Sequence, residues 1–180
     1  TVEEAADLFA TNFFGVLRVC RAVLPQFRAQ NGGTIVNVSS LAGRIGLPFQ
    51  GLYSASKFAV EGLTEALRME VRPFGIRVVL VEPGDFRTGF TSHRRLAEAS
   101  RTNEAYRTRF HHALRRAEHD EEAGGDPRAV ARLVLRILRD PHPRLRYTVG
   151  HPFQRLAVAA RRFLPGRLFE WGIMHHYRVR

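Results

Sequence analysis

The stretch Gly33–Lys57, GTIVNVSSLAGRIGLPFQGLYSASK, passes from an apolar run through a serine- and glycine-rich loop to a tyrosine and a lysine four residues apart. Thr34–Val38 is short, β-branched and largely apolar on both faces, as a buried parallel strand should be. Four residues is about one helical turn, so Tyr53 and Lys57 are expected to project from one face of a helix. A phenol titrates near pH 10, and a fixed ammonium nearby would favour its ionised form and bring it toward the working range. Ser40, thirteen residues before Tyr53 at the end of the strand, could reach the same point from the sheet. The three side chains together offer a hydroxyl to hold a substrate oxygen, a phenol to move its proton and a cation to tune the phenol.

The composition sharpens the case for Lys57. Of 28 basic side chains only Lys57 is lysine; every other one is arginine. Lysine is a compact point charge whose pKa shifts on burial, whereas arginine is a broad fork that keeps its proton. The exception therefore falls where the difference matters.

Working outward, Thr1-Val-Glu-Glu4 has the form of a capping box, so a helix should start at once. Leu8, Phe9, Phe13, Val16, Leu17 and Cys20 follow at helical spacing, with Val23 and Leu24 carrying the pattern toward Pro25. Asn12 sits among apolar neighbours in this run, and Asn31-Gly-Gly33 then supplies residues tolerant of left-handed backbone. Leu41–Leu52 is expected to be the loop that carries Pro48 and Phe49 over the site. A helix is expected over Tyr53–Arg72, with Val60, Leu63, Leu67 and Val71 as its apolar stripe and Pro73 as its stop. Gly75 frees the chain to turn into a second strand, Ile76–Val81, which runs into Glu82-Pro-Gly-Asp-Phe-Arg-Thr88. In a parallel sheet ligands bind beyond the carboxyl ends of the strands, where Ser40 and Pro83–Thr88 both fall.

After that comes a loop and a polar helix from Asn103 to about His119, and then a helix opened by Asp126-Pro127 with Val130, Leu133, Val134 and Ile137 buried. Arg146–Val149 reads as a last edge strand. The tail after His151 places Phe153, Leu156, Ala160 and Phe163 on one side and Arg155, Arg161 and Arg162 elsewhere. A basic amphipathic helix can lie on an anionic membrane surface; the favoured reading is that it packs on its own domain or on a second subunit. His111-His112 and His175-His176 point to different faces of a helix and lack a third ligand at suitable spacing, so no metal is expected.

At 180 residues the chain is one domain at most, with 44% hydrophobic and 25% charged residues, the balance of a globular protein. The net charge of +11 invites a nucleic-acid reading. Against it, the arginines are scattered and no nucleic-acid motif accompanies them, so nucleic acid is not an expected partner. Cys20 is the one cysteine, which permits no internal disulfide and suits a reducing, cytoplasmic location. No signal peptide and no apolar run of the ~20 residues that span a bilayer are apparent.

The segment NVSSLAG, the Ser40–Tyr53 spacing, YSASK and the later Pro83-Gly-x-x-x-Thr88 together resemble the short-chain dehydrogenase/reductase family. The resemblance runs through most of residues 1–90 and thins out after that. It implies an α/β fold, a Rossmann-like doubly wound parallel sheet whose N-terminal half is absent from this chain. Residues 1–90 would form the catalytic and nicotinamide-side core, 91–125 the substrate loop and helix, and 126–180 the C-terminal helices and edge strand. The implied activity is NAD- or NADP-dependent interconversion of an alcohol and a carbonyl, on a small-molecule substrate that the GLPFQGLYSASKFAVEG loop suggests is apolar and steroid- or retinoid-like. Asn12, Ser40, Tyr53 and Lys57 would be the catalytic set, with Ser40 and Tyr53 on the substrate and the backbone carbonyl of Asn12 helping to hold a water behind the lysine. Tyr53, Lys57, Pro83, Gly84, Phe86 and Thr88 would meet the nicotinamide end of the cofactor. A homodimer or homotetramer built on the helices at 1–24 and 53–72 is also implied.

The family's glycine-rich strand–turn–helix, whose helix N-terminus receives the pyrophosphate, has no counterpart in these residues. Gly43, Gly46 and Gly51 lie in the Ser–Tyr loop and Gly124-Gly125 before a late helix. The expectation is a fragment, and the alternative function is a non-catalytic binding or dimerisation module.

Overall fold

A computed structural model describes residues 1–179. Thr1 and Glu4 close the expected capping box, with the Glu4 amide donating to Thr1 Oγ1 at 3.2 Å and the terminal ammonium donating to Glu4 Oε2 at 2.6 Å. Helix α1 (Val2–Phe9) passes through one π-helical turn (Ala10–Phe14) into α2 (Gly15–Ala29). The helix does not stop near Pro25, because a proline removes one amide donor and need not end a helix whose face is packed. It ends where Asn31 adopts φ 51° and the Gly32 amide reaches back to the Phe27 carbonyl at 3.0 Å.

Taken as one segment, Val2–Ala29 is long and apolar enough, by length and composition, to cross a membrane, contrary to the expectation of no such run. The unbroken run from α1 through the π-helical turn into α2 is what supplies the length. One face of it nevertheless belongs to the domain, where Cys20 is buried against the sheet.

Three strands form one parallel sheet in the order β1-β2-β3: β1 (Gly33–Val38), β2 (Ile76–Pro83) and β3 (Arg146–Val149). Gly33 pairs with Ile76 and Val38 with Val81, while Leu80 pairs with Arg146 and Pro83 with Val149. Central β2 alternates between two cores, as a period of two requires. Ile76 and Val78 join Ile35, Cys20, Leu67 and Val71 on one face, under α2 and α3 (Gly51–Val71). Val79 and Val81 join Ile137 on the other, under α6 (Arg128–Arg139). Helices on both faces of a parallel sheet make this a doubly wound α/β fold.

A buried polar link crosses the first core: Cys20 Sγ faces Asn37 Oδ1 at 3.7 Å, Asn37 Nδ2 donates to Thr64 Oγ1 at 2.9 Å, and Thr64 Oγ1 donates to the Val60 carbonyl at 2.7 Å. It ties α2, β1 and α3 together beneath the site.

The C-terminal half departs most from expectation. A short α4 (Ala99–Thr102) precedes α5 (Arg107–Glu122), so the polar helix starts and ends later than the Asn103–His119 anticipated. The tail folds as two helices, α7 (Pro152–Ala160) and α8 (Gly166–His176), broken at Pro165. Val158, Phe169 and Ile173 face a cluster with Leu41, Ile45 and Leu47, and Tyr177 is buried against Ala113 and Ala117 of α5. Phe153, Leu156 and Phe163 do not pack on this chain's own domain and are exposed.

Candidate active site

β1 delivers Ser39 and Ser40 at its carboxyl end, where the Ser39 amide bonds the Val81 carbonyl at 2.8 Å and keeps the chain against β2. Ser40, in extended backbone, caps a 3₁₀ turn (Leu41–Gly43) by accepting the Ala42 amide at 3.1 Å. That uses one lone pair of a hydroxyl that can still donate and accept. Tyr53 stands two residues into α3, and the Ser40 side chain lies close enough to its phenol to favour the ionised form. Lys57, one turn further on, puts its ammonium 5.9 Å from the centre of the Tyr53 ring. The three side chains drawn together by spacing therefore meet.

Their electrostatics differ from expectation. Burial pushes the Tyr53 phenol up from its ordinary value, Ser40 pulls it partly back, Glu121 and Asp85 push it further up, and Arg94 opposes them. The Lys57 ammonium lies over the ring, 5.9 Å from its centre, and donates to the Val38 carbonyl at 3.1 Å. Burial also lowers the Lys57 pKa, with Glu61 one turn on acting the other way. A phenol held up is a phenol that keeps its proton, the state needed to protonate a substrate oxygen.

Asn12 falls within the π-helical turn, a feature common at functional sites. Its Nδ2 donates to Ser56 Oγ at 3.1 Å, and Ser56 Oγ donates to the Tyr53 carbonyl at 2.7 Å. Asn12 is thus tied by its side chain to the turn of α3 between Tyr53 and Lys57. Ser56, fully buried and placed between the two motif residues, was not singled out from the sequence. Its position inside YSASK was the available signal.

β2 ends at Pro83, and Gly84 follows beside Leu41, whose Cδ1 lies 3.2 Å from where a Gly84 Cβ would stand. The Gly84 amide donates to the Val149 carbonyl at 2.8 Å, and Asp85 is clamped by Gln154 of α7, which accepts its amide at 3.2 Å and donates to its carboxylate. Phe86 bridges Gly125, where a side chain on neighbouring Gly124 would stand 2.7 Å from the Asp85 carbonyl. Thr88 accepts the Phe90 amide at 3.2 Å and is exposed. Pro83, Gly84, Phe86 and Thr88 thus line the carboxyl end of β2, next to the Ser40 loop.

Phe90, not Phe49, lies against Tyr53, with ring centres 5.9 Å apart. Phe49, at φ 59°, turns onto Tyr106 and Phe110. Arg94 sits over the Phe90 ring and pairs with Glu121 of α5, which also takes the Thr91 hydroxyl. This roof of Phe90, Arg94 and Glu121 was also not evident from sequence, because each member meets Tyr53 only through the loop's path.

Behind Lys57 lies an ion cluster. Glu82 is fully buried between Arg44 (3.1 Å) and Arg146 (3.2 Å) and takes the Thr148 hydroxyl at 2.8 Å. Arg146 also bonds Glu61 at 3.0 Å and pairs with Glu65. Burial pushes the Glu61 carboxyl up. The Ser39 hydroxyl lies against it and lowers it, yet neither Ser39 Oγ nor Glu61 Oε1 is aligned as a hydrogen bond.

For a dinucleotide, the donors at the nicotinamide end fit. The Lys57 ammonium spends one donor on Val38, and the backbone at Pro83–Thr88 is at the strand ends where such a ring would lie. The pyrophosphate end is not supplied by these residues.

Comparison with known proteins agrees with this geometry. Residues 1–99 match the family described as short chain dehydrogenase. The chain is 43% identical over 180 residues to 3-ketodihydrosphingosine reductase of Bacteroides thetaiotaomicron, covering all of this chain and 67% of that protein. It is 36% identical over 151 residues to 17-beta-hydroxysteroid dehydrogenase type 1 of Mus musculus, covering 81% of this chain and 43% of that one. A short-chain dehydrogenase from Streptomyces avermitilis superimposes with a TM-score of 0.74 at 34% identity, covering 96% of this chain and 62% of that one. A short-chain dehydrogenase/reductase from Burkholderia phymatum in complex with NAD gives 0.68 at 29%, covering 86% and 56%. The chain thus spans about two thirds or less of each, and it belongs to the short-chain dehydrogenase/reductase family.

Proposed function

We propose that this chain carries the catalytic and nicotinamide-side part of an NAD- or NADP-dependent oxidoreductase that interconverts a carbonyl and an alcohol. The observation that carries the proposal is the meeting of Ser40, Tyr53 and Lys57 at the carboxyl ends of parallel strands. When bound, the nicotinamide would supply or accept the hydride at the substrate carbon. Ser40, held in place by the Ala42 amide, would donate to the substrate oxygen. Tyr53, kept protonated by its burial, would give that oxygen its proton in reduction and take it back in oxidation. Lys57, fixed by the Val38 carbonyl, would hold the ribose and carry positive charge against the phenolate as it forms. Asn12 would position the Tyr53–Lys57 turn through Ser56.

The substrate class proposed is an apolar ketone or alcohol. Two relatives support it, both named for a keto or hydroxyl group on a lipid. The test is hydride transfer by a complete domain containing these residues, offered NADH and NADPH with long-chain and steroid ketones beside short polar ones. Turnover confined to the apolar ketones is expected; turnover only of the polar ones would reverse the assignment.

Self-association is proposed through α1–α2 and α3, whose outer faces expose Phe14, Val19 and Met69.

A further inference from the structure

α7 and α8 turn their inner residues Val158, Phe169 and Ile173 to one cluster around Leu41 and Ile45, so their outer stripes face away from it. Those stripes are apolar. Phe153 and Leu156 on α7, and Leu168 and Trp171 on α8, are each more than half exposed, and Phe163 between the helices is 81% exposed. Leu168, Trp171 and His175 recur at helical spacing, with the Trp171 ring stacked on His175 at 5.6 Å. Beside the stripe an open groove of about 630 Å³ is lined by Leu47, Leu164, Phe169 and Ile173 together with the charged Arg161 and Glu170.

Charge separates this surface from the other exposed apolar face. Over 2–29 three acids (Glu3, Glu4, Asp7) balance three arginines (Arg18, Arg21, Arg28). Over 151–179 one acid, Glu170, stands against Arg155, Arg161, Arg162, Arg167 and Arg178. Arg161 is spent on the domain, donating to the Arg44 carbonyl at 2.6 Å, while Arg155, Arg162 and Arg167 are exposed among the aromatic residues. A neutral apolar face suits a second copy of itself; one on which exposed Arg155, Arg162 and Arg167 outnumber the acid Glu170 repels its copy. Aromatic and leucine side chains ringed by arginine match the boundary of an anionic bilayer, where rings enter the headgroup layer and guanidinium groups meet phosphates.

We infer that the outer face of α7–α8 docks this protein on an anionic membrane surface. Trp171, the only tryptophan, reports directly on it. With vesicles of phosphatidylcholine plus phosphatidylglycerol, the chain should co-sediment and the Trp171 emission should move to the blue; with phosphatidylcholine alone both effects should be weak. Arg155→Gln, Arg162→Gln and Arg167→Gln together should lower partitioning onto the anionic vesicles by roughly 10²-fold at low salt. Phe163→Ser with Leu168→Ser should remove the blue shift while far-UV circular dichroism stays unchanged, because both side chains are exposed. Absence of co-sedimentation would overturn the inference. So would binding without a blue shift, or light scattering showing that the two serine substitutions dissolve a homodimer without changing vesicle binding.

Discussion

Replacing Gly43 by alanine probes the contact between the Ser40 loop and the Lys57 helix. Gly43 is buried in the 3₁₀ turn, and a Cβ there would stand 2.6 Å from Ser39 Oγ and 3.1 Å from both Glu61 Cγ and the Lys57 carbonyl oxygen. The first contact is closer than a carbon and an oxygen can approach, and Ser39 is itself buried, so its hydroxyl must turn. The other two each need a few tenths of an ångström, and one of them is backbone. The loop carrying Ser40 and the turn carrying Lys57 must therefore separate. Overpacking of this kind costs ~1–3 kcal/mol, and alanine's smaller unfolded-state entropy returns ~0.4–1 kcal/mol. The net loss should be about 1–2 kcal/mol, which lowers Tm by roughly 2–8 °C in a chain of this size. Turnover in a complete domain should fall by about tenfold, since small misplacements of reacting groups are costly. Adding Ser39→Ala relieves the closest contact and should restore part of the stability but not all of it. Equal stability and unchanged turnover in Gly43→Ala would refute the claim that this contact sets the Ser40–Lys57 separation.

Arg146→Met should cost about 2–4 kcal/mol in urea unfolding, less than a fully buried pair because Arg146 is partly exposed and Glu82 keeps Arg44 and Thr148. Glu61 has a folded pKa raised by burial, so the fold favours its protonated form. Its contribution is most favourable below the ordinary carboxylate range and is lost as pH rises through the raised value; Glu61→Gln should therefore flatten a decline in stability between acid and neutral pH, and an unchanged pH profile would count against it. Charges at Val19 and Met69, Val19→Glu with Met69→Glu, should give monomers by light scattering, and a complete domain already monomeric without them would contradict the proposed interface. Calorimetric titration of this 180-residue chain with NAD and with NADP should show no useful binding, because the backbone donors that receive the pyrophosphate are not among its residues; micromolar binding would show otherwise.

The elements next to the site were legible because their patterns are local. The β-branched runs of β1 and β2 and the one-turn spacing of Tyr53 and Lys57 need no information from elsewhere in the chain, and each appears where spacing placed it. What was not legible depends on distant partners. Glu61 and Glu82 look like surface acids until Arg146, far along the chain, pairs with both from a strand laid against β2. The direction of the Tyr53 shift was misjudged because sequence shows a neighbouring cation but not the burial that outweighs it, nor the Val38 carbonyl that claims the ammonium. In the tail, periodicity found an apolar stripe at Phe153, Leu156 and Phe163, but amphipathicity alone does not say which side the domain covers.

The central claim is that Tyr53 moves the proton with Lys57 fixed behind it. Lys57→Arg keeps the charge but replaces a point donor by a broad fork, so activity should fall even though the cation remains. The most direct measurement is the turnover of Tyr53→Phe in a complete domain, with folding checked by thermal unfolding. Loss of the phenolic proton should reduce kcat by roughly 10²-fold or more while Tyr106→Phe, Tyr147→Phe and Tyr177→Phe leave it near the parent value. Near-normal turnover in Tyr53→Phe would contradict the account.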